Sequence, residues 1–216
     1  MSPSFTILTG LPTELRSEAV SIYWQAFGGK LGRVLGPEDR ATVFLQETMS
    51  ARNCLVAVSP EGVLLGIAGF KTAQGAFTGG SPALLRRVYG RWGALWRQGV
   101  LRLLESDTDN RRFLVDGICV RREQRGLGVG TALLEGLCAE ARQRGYAAIR
   151  LDVVDTNWRA RALYERQGFL AVGDTPIGWL RHVFGFAAAT TMVKPLDTKA
   201  DAPPRGQAIR PVEAAE

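Results

Sequence analysis

Histidine is nearly missing from this 216-residue chain. A single histidine, His182, excludes a multi-histidine metal centre. The three cysteines, Cys54, Cys119 and Cys138, fall in no Cys-x-x-Cys spacing, so neither a disulfide framework nor a zinc ribbon is supported. No apolar run approaches the roughly 18 residues of a membrane-spanning helix. The opening stretch, MSPSFTILTGLP, lacks the basic start and apolar core of a signal peptide, which makes the cytoplasm the expected compartment. Acidic residues are absent from 71–104, where Lys71, Arg86, Arg87, Arg91, Arg97 and Arg102 supply an excess equal to the whole net charge of +6. Such an excess suits nucleic acid, anionic lipid or a phosphorylated ligand. No helix-turn-helix, zinc or RNA-binding signature accompanies it, so nucleic acid is not an expected partner.

What is present is the composition of an ordinary globular domain, 46% hydrophobic and 22% charged, with length enough for a real core. SFTIL (4–8) predicts a strand. Leu15, Ala19, Ile22, Tyr23 and Ala26 recur at three- and four-residue spacing and predict a helix over 14–26. The glycine-rich stretch 28–37 predicts irregular chain. A second helix is expected from about Pro37, with acids in its first turn. CLVAVS (54–59) and VLLGIAGF (63–70) flank Pro60-Glu61-Gly62 and predict a hairpin. Further strands are expected at 113–120, 147–154 and 190–196, with helices over 131–144 and 157–167 and with 180–186 as the hairpin partner of the last strand. The tail, 197–216, has little to bury and is expected to be disordered. The order is that of one α/β (α+β) domain, 1–196, with a mostly antiparallel sheet.

The chemistry centres on RREQRGLGVGTALLEGL (121–137). Gly126, Gly128 and Gly130 let the backbone approach a ligand, and the helix beginning near Thr131 directs its unpaired amides to the same place. With Arg125 beside them, these amides suit a pyrophosphate. A dinucleotide fingerprint requires GxGxxG tight against a strand, whereas here the spacing is GxGxG and Arg121 to Arg125 intervene after Val120. No Gly-Lys-Ser/Thr follows, so a P-loop is excluded as well. Arg125-x-x-Gly128-x-Gly130 after a strand is the pattern that fits. On it, on LDVVDTNWRARALYERQGF (151–169) and on MVKPL (192–196), in that order, the chain resembles the GNAT superfamily of acetyl-CoA-dependent N-acetyltransferases.

That resemblance implies a GNAT fold: a mixed sheet splayed between its fourth and fifth strands, with helices on both faces and the pantetheine arm of acetyl-CoA in the gap. The backbone of Ile118, Cys119 and Val120 would run beside the pantetheine, with Ile118 and Val120 pairing with it. Arg125 and the amides of Gly126, Leu127, Gly128, Val129, Gly130 and Thr131 would hold the pyrophosphate. Asn157 matches a cofactor-contacting position and also reads as a helix N-cap. Tyr164 matches the tyrosine near the sulfur, where a phenol can protonate a leaving thiolate; its alternative is packing on the sheet. Asp116 and Asp152 are candidate bases, with ion pairing to one of the arginines as the alternative for each; alternation places Asp116 on the face of Ile118 and Val120. His182 reads as a surface imidazole or, less readily, a catalytic one, and Cys119 as core. No metal is implied.

The chain departs from the family at 71–112, where a short hairpin is usual. Arg86, Arg87, Arg91, Arg97 and Arg102 fall within an arc of about 160° on a helical wheel, opposite Leu84, Leu85, Val88, Tyr89, Trp92, Leu95, Trp96 and Leu103. This basic amphipathic helix has three readings: a packed extension of the core or homodimer contact, a cap in which Trp92 or Trp96 shapes the acceptor site, or a peripheral membrane anchor over 83–104. The function expected is direct transfer of acetyl to the amine of a small molecule or peptide; a non-catalytic acetyl-CoA-binding sensor or interaction module is the alternative. The electropositive insert favours a neutral or carboxylate-bearing amine over a polycation.

Overall fold

A computed structural model describes residues 4–104, 112–178, 185–196 and 210–211. Its strands are β1 (Thr6–Thr9), β2 (Cys54–Val58), β3 (Leu64–Thr72), β4 (Gly75–Ala76), β5 (Phe113–Val120), β6 (Ala148–Val154), β7 (Leu170–Pro176), β8 (Ala188–Pro195) and β9 (Arg210–Pro211). Its helices are α1 (Arg16–Leu35), α2 (Glu38–Thr48), α3 (Pro82–Leu104), α4 (Val129–Gln143) and α5 (Trp158–Arg166). The sheet runs β7-β8-β6-β5-β3-β2-β1-β9, with β4 a short hairpin on β3. Pairing is antiparallel except between β5 and β6 and between β1 and β9. Helices cover both faces: α4 and α5 pack with Leu133, Leu137 and Tyr164 on one, α1 and α2 with Val20, Tyr23 and Leu45 on the other. No helix among the described residues is long and apolar enough to cross a membrane.

Four expectations are corrected. The glycine-rich stretch is helical: α1 continues through Gly28, Gly29 and Gly32 to Leu35. Each glycine costs a helix interior about 1 kcal/mol relative to alanine, and distant partners offset that. Val34 and Leu35 are buried, the Tyr89 hydroxyl donates to the Leu35 carbonyl (2.5 Å), and Arg97 donates to those of Val34 (2.6 Å) and Gly36 (3.0 Å). The partner of β8 is β7, not 180–186, of which 180–184 lies outside the described residues. In the tail expected to be disordered, Arg210–Pro211 pairs with β1; the rest of 197–216 lies outside the described residues.

The fourth concerns the insert. At Gly90 the backbone turns left-handed (φ 72°), so α3 is two helical pieces out of phase rather than one amphipathic wheel. Before the kink Leu85 and Tyr89 are buried against Phe44 of α2. After it the phase resets. Ala94 and Arg97 turn inward, and Trp92 (85% exposed), Leu95 and Trp96 turn out to solvent. The guanidinium of Arg97 lies between the rings of Tyr89 and Trp96, 4.0 and 4.5 Å from their centroids, while it caps the carboxyl end of α1. Charged hydrogen bonds of this kind contribute about 2 kcal/mol. Arg97→Ala is therefore expected to lower unfolding free energy by about that amount, measured by urea denaturation. An unchanged midpoint would show that α1 needs no cap.

Candidate active site

Residues β5 and β6 pair only at Phe113–Ile149 and Leu114–Arg150; beyond that the two strands part. The gap is a cleft of about 290 Å³ that passes through the sheet. Tyr164, Ala160 and Asn157 of the α5 segment line one end, Tyr23, Phe27 and Leu31 of α1 the other, and Asp116 and Asp152 stand between. The strands that the resemblance numbers fourth and fifth correspond in position to β5 and β6, because the two-residue β4 precedes them.

Close contacts position the strand edge. A Cβ at Gly66 would fall 2.9 Å from the Cys119 carbonyl and 3.2 Å from Val129 Cγ1, so glycine there lets the first turn of α4 settle on the sheet. The Arg121 amide donates to the Leu65 carbonyl on β3 (2.9 Å). Alternation then directs the peptide groups of Val120 and Ile118 the opposite way, into the gap. Cys119 points into the α1-side core, as expected, and burial pushes its thiol well above its ordinary pKa.

Between β5 and α4 the chain bends through Gly126 (φ 81°) and Gly128 (φ 87°), a left-handed backbone that suits glycine. Helix α4 begins at Val129, two residues before the predicted start. Among the described residues, the first amide of this region to find a main-chain carbonyl is that of Ala132, bonded to Gly128 (3.0 Å). The amides of Gly126, Leu127, Gly128, Val129, Gly130 and Thr131 thus have no main-chain carbonyl partner among the described residues, and a Cβ at 126 or 128 would meet nothing within 4 Å. Arg125 lies alongside, its Nε donating to the Val120 carbonyl (3.2 Å). This combination fits a diphosphate: open main-chain donors, a helix amino terminus and a guanidinium.

Asn157 caps α5, its Oδ1 accepting from the Ala160 amide (3.4 Å), and it also lines the cleft. Tyr164 packs on the sheet-side core and on Phe169, with ring centroids 6.0 Å apart. Among the described residues its hydroxyl has no hydrogen-bond partner. Burial, with a smaller contribution from Cys119, pushes its pKa up to about 12, so the phenol stays protonated across the physiological range.

The structure corrects the face assigned to Asp116. Opposite Gly69 and Phe70, β5 bulges at Asp116, because Gly117 pairs with Gly69 and Val115 with Phe70. The extra residue throws the Asp116 side chain toward α1, away from the face of Ile118 and Val120. There its Oδ2 accepts from the Thr78 amide (3.1 Å) and hydroxyl (2.9 Å). Burial raises its pKa above the usual carboxylate value, and the Thr78 bonds and Lys71 counter that only in part. Asp152 accepts from the Thr191 hydroxyl (2.6 Å) and lies 3.4 Å from Arg150, so its ion-pair reading is realised while it also faces the cleft. Neither Trp92 nor Trp96 lines the cleft, which removes them as its cap. His182 lies outside the described residues.

Several contributors escaped the sequence reading. Thr78, from the start of the insert, holds Asp116, and nothing local marks it. Tyr23, Phe27 and Leu31 form one wall, and their four-residue spacing was visible had the helix been extended past Ala26. Phe186 enters because Asp155 Oδ2 accepts from the amides of Ala187 (3.1 Å) and Ala188 (3.3 Å), fixing that turn.

The acetyltransferase (GNAT) family model matches residues 17–169. A probable N-acetyltransferase camello of Xenopus tropicalis is 39% identical over 64 residues, 30% of this chain; the match spans 29% of that relative's length. A histone acetyltransferase HPA2-related protein of Corynebacterium glutamicum has a similar fold, with TM-score 0.61 and 23% identity over 91% of this chain and 97% of that one. So does an acetyltransferase of Salmonella typhimurium solved with its cofactor acetyl-CoA, with TM-score 0.56 and 18% identity over 93% and 98% of the two chains. The splayed strands and open glycine turn lie inside the span that the family model matches. The chain therefore belongs to the acetyltransferase (GNAT) family.

Proposed function

We propose that this chain transfers acetyl from acetyl-CoA to a primary amine by direct attack within a ternary complex. The observation that carries the reading is the parting of β5 and β6 after Leu114, with the unbonded phenol of Tyr164 at one end of the gap and the Asp116 carboxylate facing the other side. When bound, acetyl-CoA supplies a thioester, an acyl group on a thiol leaving group. Amides 126–131 and Arg125 hold its diphosphate, and the edge of β5 at Ile118 and Val120 aligns its pantetheine arm.

Asp116 receives the proton that the amine must lose, directly or through water. The C–N bond forms as the C–S bond breaks, and Tyr164 Oη donates a hydrogen bond and then its proton to the departing sulfur. A phenol with a pKa near 12 is a poor place to leave a negative charge, so it must recover a proton promptly from solvent. Asp152, tied to Arg150 and Thr191, shapes the field on the acceptor side rather than moving a proton.

Initial-rate kinetics test the mechanism. Varying both substrates should give intersecting double-reciprocal lines, and Cys119→Ala should keep turnover within about threefold, because a buried thiol with a raised pKa forms no acyl-enzyme. Parallel lines, or a Cys119→Ala variant that folds and is dead, would replace direct transfer with a covalent route.

A further inference from the structure

We infer that the acceptor is a primary amine on an apolar skeleton of aromatic size, bearing no carboxylate. This rests on the acetyltransferase reading and names the substrate class of that same cleft. Beyond Asp116, the acceptor end is walled by Tyr23, Phe27, Leu31 and Phe186, three aromatic rings and a leucine. Among the described lining residues there is no lysine, arginine or histidine to meet an acceptor's carboxylate.

No arginine of the insert is among the described residues lining this cleft, which counts against the expectation that the insert favours a carboxylate-bearing amine. Lys71, at the insert's start, acts there on Asp116. Arg97 is bonded to the carbonyls of Val34 and Gly36, Arg87 pairs with Glu47, and Arg86 and Arg91 are exposed. Among the described residues, Lys71 acts on Asp116 through its field and Arg150 pairs with Asp152. Each answers an acid already present, so among the described lining residues an incoming carboxylate meets two carboxylates and no lysine, arginine or histidine. An ammonium meets Asp116 with Oδ1 still open, since Thr78 binds only Oδ2. A second ammonium, as on a polyamine, would be pressed against rings with no further acid among the described lining residues.

The test uses the full chain and a matched series read by thiol release: 2-phenylethylamine, phenylalanine, phenylalaninamide and ethylamine. Phenylalanine adds a carboxylate to the first compound, the amide restores neutrality at similar size, and ethylamine removes the ring. We expect kcat/KM for phenylalanine to fall at least about tenfold below 2-phenylethylamine. Phenylalaninamide should recover to within about fivefold of 2-phenylethylamine. Ethylamine should fall at least about tenfold through lost apolar burial. As a readout independent of turnover, 2-phenylethylamine should raise the melting temperature of the CoA-saturated protein more than phenylalanine does. Phenylalanine equal to or better than its amide, ethylamine equal to 2-phenylethylamine, or no thermal shift with any of the four overturns the inference. If acetyl-CoA itself fails to bind, it is instead the acetyltransferase reading that falls.

Discussion

Replacing Tyr164 with phenylalanine should lower kcat by roughly a hundredfold or more while leaving affinity for acetyl-CoA within about twofold. The ring keeps its packing against Phe169 and the sheet-side core. Only the hydroxyl is lost, and no group in the described protein depends on it, so the deletion leaves no orphaned partner. With the phenol held protonated to about pH 12, the lost quantity is a hydrogen bond and a proton at the departing sulfur. That interaction strengthens only as charge develops, which is why kcat rather than binding should respond. Calorimetric titration with acetyl-CoA beside steady-state thiol release separates the two. A variant that turns over within threefold of the parent would assign Tyr164 to packing alone, and one that loses cofactor affinity would make it a binding residue.

Asp116→Asn should have opposite effects on activity and stability. Turnover at neutral pH should fall about a hundredfold, because the amide cannot accept the amine's proton. The deficit should narrow above about pH 9, where more of an alkylamine acceptor is already neutral. Stability should rise. Desolvation at the cleft wall favours the protonated carboxyl, so the folded-state pKa lies above the unfolded one, and because the residue is exposed to solvent the gain is small. The associated stability is present below the unfolded pKa and lost as pH rises through the folded one, leaving a standing penalty at neutral pH. Asparagine carries no charge and can still accept both bonds from Thr78 through its Oδ1. The variant's melting temperature should exceed the parent's at pH 7, and the difference should close as pH falls through the raised pKa. A variant less stable at pH 7 and no slower would mean that Asp116 is a structural anchor for Thr78.

The open turn proposed to hold the cofactor was legible because its signals are local: glycines at 126, 128 and 130, Arg125 and a helix start sit within a few residues. The acceptor side was not, since it depends on contacts far apart in sequence. The direction of Asp116 follows from a bulge registered against Gly69 and Phe70, more than forty residues earlier. A reading of β5 alone can only alternate. Helix α1 survives its glycines because Tyr89 and Arg97 arrive from the insert to bind its last carbonyls. Without those partners, propensity argues for a break after Ala26, and Phe27 and Leu31 drop from view. The insert was misread for the converse reason, since one left-handed glycine at 90 reset a wheel that assumes a continuous helix.

Cofactor binding depends most on the open turn between β5 and α4. Two-dimensional amide NMR during titration with CoA observes it directly. The resonances of Gly126 to Thr131 should shift progressively and saturate with the binding isotherm, among the largest changes in the spectrum. Saturable CoA binding that leaves those six amides unmoved, or no binding at all, would contradict it.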